Sequence, residues 1–137
     1  MSEQANLLMA LIAIVDDDAS VREAMTSLLK ASGMRAEVFA SAEEFLASRH
    51  LDQTKCLILD VQMPGMNGLE LQRLLASENR CIPIIFISAH DHQDIRRLAI
   101  QAGAIDFLPK PFGEAALLGA IRAALGRPAK NPDTLQL

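Results

Sequence analysis

The sequence has no tryptophan and no tyrosine, and aromatic residues make up 4% of it. Half of its 137 residues are nevertheless hydrophobic, so the apolar mass is leucine, isoleucine, valine, alanine and methionine. That filling suits an α/β protein whose parallel sheet is covered on both faces. Positive charge is in the minority, with 13 Lys and Arg against 17 Asp and Glu and a net charge of −4. No general attraction to nucleic acid is therefore expected. No apolar run reaches the roughly 18 residues of a membrane span. Residues 1–8 lack the basic start and small-residue cleavage site of a secretory signal, and the expected location is the cytoplasm. Cysteine is nearly absent: Cys56 and Cys81 make no metal-binding spacing. Both read as small buried hydrophobes at strand starts rather than as a disulfide.

What is present is an alternation of two kinds of segment in a chain of one-domain length. Strand-like segments occur at residues 10–15, 36–39, 56–59, 82–87 and 104–108, three of them nearly pure aliphatic runs of the kind buried parallel strands show. Between them, helical spacing recurs. Val21, Ala24, Met25, Leu28 and Leu29 form a stripe ahead of Gly33, and Ser41-Ala42-Glu43-Glu44 reads as a capping box opening a short helix through Phe45 and Leu46. Leu69, Leu71, Leu74 and Leu75 mark a third helix. Ile95, Leu98, Ala99 and Ala102 mark a fourth stopped at Gly103, and Leu117, Leu118, Ile121 and Leu125 a fifth stopped at Gly126. Five βα units with short connections imply right-handed crossovers and a doubly wound α/β fold of the flavodoxin-like type. The order 2-1-3-4-5 suits five parallel strands flanked by five helices, and it sets strands 1 and 3 side by side. The domain is expected over residues 10–125, with an N-terminal extension at 1–9 and a polar, proline-broken tail or linker at 126–137.

Chemistry gathers at the strand ends. Asp16, Asp17 and Asp18 follow the run Leu11-Ile12-Ala13-Ile14-Val15, and three adjacent carboxylates repel one another unless positive charge sits among them. A hard cation such as Mg²⁺ meets that need, whereas helix capping accounts for one of the three. Strand 3 ends in Asp60, followed by a loop stiffened by Pro64 and turned by Gly65 and Gly68. An aspartate held there can accept a phosphoryl group. Strands 4 and 5 end near Ser88 and Lys110, a hydroxyl and an ammonium suited to phosphoryl oxygens. Taken singly, Ser88 fits a strand-end hydroxyl and Lys110 a solvated loop lysine. Their weight comes from four strands delivering complementary groups to one rim. His90 and His92 read as exposed loop residues without zinc spacing, and Asp91 and Asp94 as a helix start.

The segments Val15-Asp16-Asp17-Asp18, Asp60-Val61-Gln62-Met63-Pro64-Gly65-Met66-Asn67-Gly68, Ile87-Ser88-Ala89-His90 and Ala102 through Lys110-Pro111-Phe112 together resemble a receiver domain of two-component response regulators, in wording of the FixJ type. The resemblance covers about residues 10–125. It implies that Asp60 accepts a phosphoryl group from a histidine kinase. Asp17, Asp60 and the backbone carbonyl of Gln62 would bind Mg²⁺, with Asp16 acting through water. Lys110 and Ser88 would contact the phosphoryl group. Phe107 corresponds to a switch aromatic without the hydroxyl of the tyrosine that many relatives carry, and the Lys110–Pro111 bond is often cis in the family. Gln62 and His90 correspond to positions that influence dephosphorylation.

The implied mechanism is a population shift. Ser88 and its loop would move toward the phosphoryl oxygens, Phe107 would fill the space vacated, and the face of helix 4, strand 5 and helix 5 would change its partners, a homodimer among them. Two rivals on related chemistry fit worse. An aspartate-nucleophile phosphatase needs a DxDx(T/V) motif, which Asp16-Asp17-Asp18-Ala19-Ser20 does not complete. A flavin module needs a Gly/Ser/Thr-rich loop where this chain has acids. With no helix-turn-helix in the sequence, the chain is expected to act either alone through protein contacts or as the front of a longer transcription factor, and the FixJ-type wording favours the second.

Overall fold

The computed structural model describes residues 10–90 and 93–126. β1 (Leu11–Val15) is aliphatic and buried throughout because it lies inside the sheet, between β2 (Arg35–Phe39) and β3 (Thr54–Asp60). β4 (Ile84–Ser88) and β5 (Asp106–Pro109) complete five parallel strands in the order β2-β1-β3-β4-β5. The helices are α1 (Ala19–Ala31), α2 (Ala42–Leu46), α3 (Gly68–Ser77), α4 (Gln93–Gln101) and α5 (Glu114–Leu125), with one 3₁₀ turn at Leu51–Gln53.

Strand side chains alternate between two cores, as the period of two requires. Ile12, Ile14, Ile58, Ile85 and Ile87 meet Met25 and Leu29 of α1 and Leu117 and Ile121 of α5. Val15, Leu57, Leu59, Phe86 and Phe107 meet Phe45 of α2, Leu71 and Leu75 of α3 and Ala99 of α4. Helices thus cover both faces, and the doubly wound reading holds. Among the described residues, no helix is long and apolar enough to cross a membrane.

Several expectations are corrected in detail. β4 begins at Ile84, after Pro83, rather than at residue 82, and Cys81 lies outside the strand and exposed. Only Cys56 is a buried hydrophobe, and burial pushes its thiol up to about 12. Ser41 Oγ accepts from the Glu44 N–H, but the reciprocal capping box is formed by Asn67 and Glu70 at the start of α3. Leu98, assigned to the inner stripe of α4, is 55% exposed. Gly103 does stop α4, at φ 107°, with the Ala104 N–H returning to the Ala99 carbonyl at 3.0 Å. Residues 1–9 and 127–137, and with them the expected extension and most of the tail, lie outside the described residues, as do Asp91 and His92.

Candidate functional site

Register between the strands builds the site. Val15 pairs with Leu59, Asp60 with Ile87 and Ser88 with Pro109. Asp16, Asp60, Ser88 and Lys110 therefore emerge side by side at the C-terminal edge of the sheet, where open α/β folds bind ligands. Asp16 and Asp60 are buried while Asp17 is exposed, and each can place one carboxylate oxygen within 4.8 Å of the others. Asp18 does something else. It is the N-cap of α1, its Oδ1 accepting from the Ser20 N–H at 2.8 Å and the Val21 N–H at 3.4 Å. The three-aspartate run divides into two site acids and a cap.

Part of the positive charge these acids need comes from the protein. Lys110 Nζ donates to Asp16 Oδ2 at 2.8 Å and lies 3.6 Å from Asp60 Oδ2. The other Asp16 oxygen accepts from the Asp18 N–H at 2.9 Å, so both are engaged. Asp60 Oδ1 accepts from the Gln62 N–H at 3.3 Å. Burial first, then the Asp16 charge, push the Asp60 carboxyl up to about 6, with Lys110 and the Gln62 N–H pulling the other way. For Lys110, burial favours losing the proton, but the Asp16 bond and the Asp60 charge outweigh it and hold the ammonium above the ordinary lysine range. Three carboxylates and no nitrogen or sulfur donor make a set for a hard, oxygen-seeking cation. The pairing of Lys110 with Asp16 was not foreseen from sequence.

Ser88 is buried at the rim, its Oγ donating to the His90 carbonyl at 2.9 Å and accepting the His90 N–H at 3.1 Å. Its own carbonyl accepts the Lys110 N–H at 2.7 Å. His90 is exposed. Phe107 is 2% exposed, 6.2 Å from the Phe86 ring, with the Arg96 guanidinium 5.2 Å over its face. The Lys110–Pro111 bond is cis.

Arg22 escaped the sequence reading, and Glu43 and Gly68, read there as part of a helix start and as a loop-turning glycine, take supporting roles at the site. Arg22 of α1 donates to the Asp16 carbonyl at 2.7 Å. Glu43 of α2 accepts the Met66 N–H at 3.1 Å and so ties down the loop after Asp60. Gly68 lies so close to the Asp60 carbonyl that a Cβ would stand 2.5 Å from it. An asparagine three residues before a glutamate at 67–70 was a legible signal for the helix start beside that loop; the two side chain to backbone bonds had none.

Residues 12–122 match the model of the response regulator receiver domain. The chain belongs to this family. Among similar proteins, the response regulator protein TodT of Pseudomonas putida is 50% identical over 91% of this receiver and 53% of its own length. The transcriptional regulatory protein FixJ of Azorhizobium caulinodans is 40% identical over 86% of the receiver and 56% of its own length. The chain spans about half the length of these curated relatives. Of solved structures, the response regulator StyR superposes with a TM-score of 0.79 at 48% identity, covering 85% of the receiver and 59% of StyR. FixJ-N superposes with a TM-score of 0.77 at 35% identity, covering 88% of the receiver and 98% of FixJ-N.

Proposed function

We propose that Asp60 takes a phosphoryl group from a phosphohistidine of a histidine kinase, and that this modification resets the face made by α4, β5 and α5. The observation that carries the reading is one buried carboxylate beside two further aspartates and an ammonium at the ligand-binding edge of the sheet. In the transfer, an Asp60 oxygen attacks phosphorus in line. The new P–O bond forms as the P–N bond to the imidazole breaks, and the electron pair stays on the imidazole nitrogen. Lys110, within 3.6 Å of Asp60, is placed to pair with the phosphoryl oxygens. Asp17, Asp60 and the Gln62 carbonyl would hold Mg²⁺, with Asp16 acting through water, and its chemistry is to offset carboxylate and phosphoryl charge. The bonds that the Asp18 N–H and Lys110 make to the two Asp16 oxygens support giving Asp17 the direct role.

Once formed, the acyl phosphate is a charged acceptor and outcompetes the His90 carbonyl for the Ser88 hydroxyl. Release of the Ser88–His90 turn then opens space beside the buried Phe107 ring for that ring to fill. Arg96 on that ring passes the change to α4. The exposed Leu98 and Ile100 of α4 support a protein partner there, a second copy included. We read the chain as the cytoplasmic receiver, residues 10–125, of a transcription regulator. It has no turnover beyond its own phosphorylation and dephosphorylation, and output comes through a part that this chain does not contain. Treatment with a phosphorylated kinase or with acetyl phosphate is expected to leave one hydroxylamine-labile phosphoryl group on the protein and none on Asp60→Asn. Undiminished labelling of Asp60→Asn would overturn the reading.

A further inference from the structure

α4 is held to the molecule by little apolar burial. Ala99 is its one buried residue among those described and Ile95 packs half-buried on the core, while Leu98 is 55% and Ile100 44% exposed. Polar contacts take over. Among the described residues these include Arg96 over Phe107 and Gln72 of α3, whose Nε2 donates to the Ala99 carbonyl at 3.1 Å. Gln72 is 7% exposed, on the inner face of α3 with Leu71 and Leu75. A primary amide is costly to bury unless its bonds are made, so apolar packing does not explain it. The carbonyl it meets lies in the last turn of α4, where main-chain oxygens lack a partner from the next turn. The Ala104 N–H takes one lone pair of Ala99 and Gln72 the other.

The opposite end of α3 is seated on the phosphoryl acceptor. Gly68 opens the helix, its N–H donates to the Val61 carbonyl at 2.9 Å, and its Cα is packed against the Asp60 main chain with no room for a Cβ. Gly68 and Gln72 are four residues apart and share one face of the helix. A ten-residue helix fixed at Asp60 and bonded to α4 moves as a unit, because close-packed elements shift between discrete positions rather than deform.

We propose that Gln72 is a positioning residue: its amide donor ties the last turn of α4 to α3, giving the Asp60 site a second route to α4 that bypasses Ser88 and Phe107. The route deepens the proposed function and rests on it only for its response to modification. The test is amide hydrogen exchange on wild type, Gln72→Leu and Gln72→Glu. Leucine keeps the packing without the donor; glutamate keeps the shape and turns an acceptor toward the carbonyl. In the unmodified protein, amides at residues 99–104 should exchange roughly three- to tenfold faster in both variants, with α1 and α5 unchanged. With Mg²⁺ and beryllofluoride as the phosphoryl mimic, the change seen in wild-type α4 should fall by at least half in the variants. Asp60 labelling by acetyl phosphate should keep its rate within twofold. If only the leucine variant folds, it decides the question alone. Wild-type exchange in α4 of the variants, or faster exchange spread over all helices, would overturn the tether. A wild-type α4 indifferent to beryllofluoride would count against the route and the proposed switch, while the comparison of unmodified proteins would still decide the tether.

Discussion

At neutral pH Asp60 must be ionised to act as a nucleophile, yet burial and the Asp16 charge hold its carboxyl at about 6. Two outcomes follow. In chelator, the folded protein holds the Asp60 proton more tightly than the unfolded chain, so this group's contribution to stability is complete below about pH 4 and lost as pH rises through about 6. Asp60→Asn has no such loss. Denaturant melts should show the variant gaining on wild type by on the order of 2 kcal/mol between pH 4 and 7. Phosphorylation by acetyl phosphate should slow as pH falls through about 6, and saturating Mg²⁺ should move that inflexion lower by favouring the carboxylate. A rate flat from pH 5 to 8 without change on adding Mg²⁺ would contradict the electrostatic account. Thiol chemistry divides just as sharply: an aromatic disulfide reagent should titrate Cys81 in the native protein and Cys56 only on unfolding.

At the scale of elements, α3 is the most constrained. It starts with a reciprocal Asn67–Glu70 box and with a glycine pressed against Asp60. Asn67→Ala should cost about 1 kcal/mol in chemical melts. Gly68→Ala should cost more, about 2–4 kcal/mol, and slow Asp60 labelling as well, because the methyl group can be housed only by shifting the acceptor's own main chain. Loss of stability with wild-type labelling kinetics would show that the loop relaxes independently of the nucleophile. Elements were legible in sequence where burial is one-sided or complete. β1 and β3 declared themselves as aliphatic runs, and α1 by its stripe and cap. α4 misled, because a spacing that matches a buried stripe says nothing of how wide the receiving surface is, and Leu98 ended outside.

For the molecule as a whole, the acidic rim links stability to metal. Mg²⁺ at a hundred times its Kd should stabilise the wild type by roughly 2.7 kcal/mol. Asp17→Ala, an exposed acid that adds to the repulsion on Asp60, should leave the metal-free fold at least as stable and need much more Mg²⁺ for the same rise in Tm. Equal Mg²⁺ dependence in variant and wild type would remove Asp17 from the metal site.

Strand number, order, the two-faced core and the rim position of Asp16, Asp60, Ser88 and Lys110 were readable from the sequence alone, because hydrophobic periodicity and the handedness of βα units leave few topologies open. The tertiary structure decided how those groups are joined. Lys110 bonds Asp16, Ser88 turns to His90, Arg96 lies over the buried Phe107 ring, and Gln72 reaches from α3 to α4, whereas the Asp18 cap was a reading the sequence already offered. Such contacts link a side chain to whatever lies within about 3 Å of its tip. Apart from the local Ser88–His90 turn, they connect segments far apart in sequence, and so leave no period or motif in the chain.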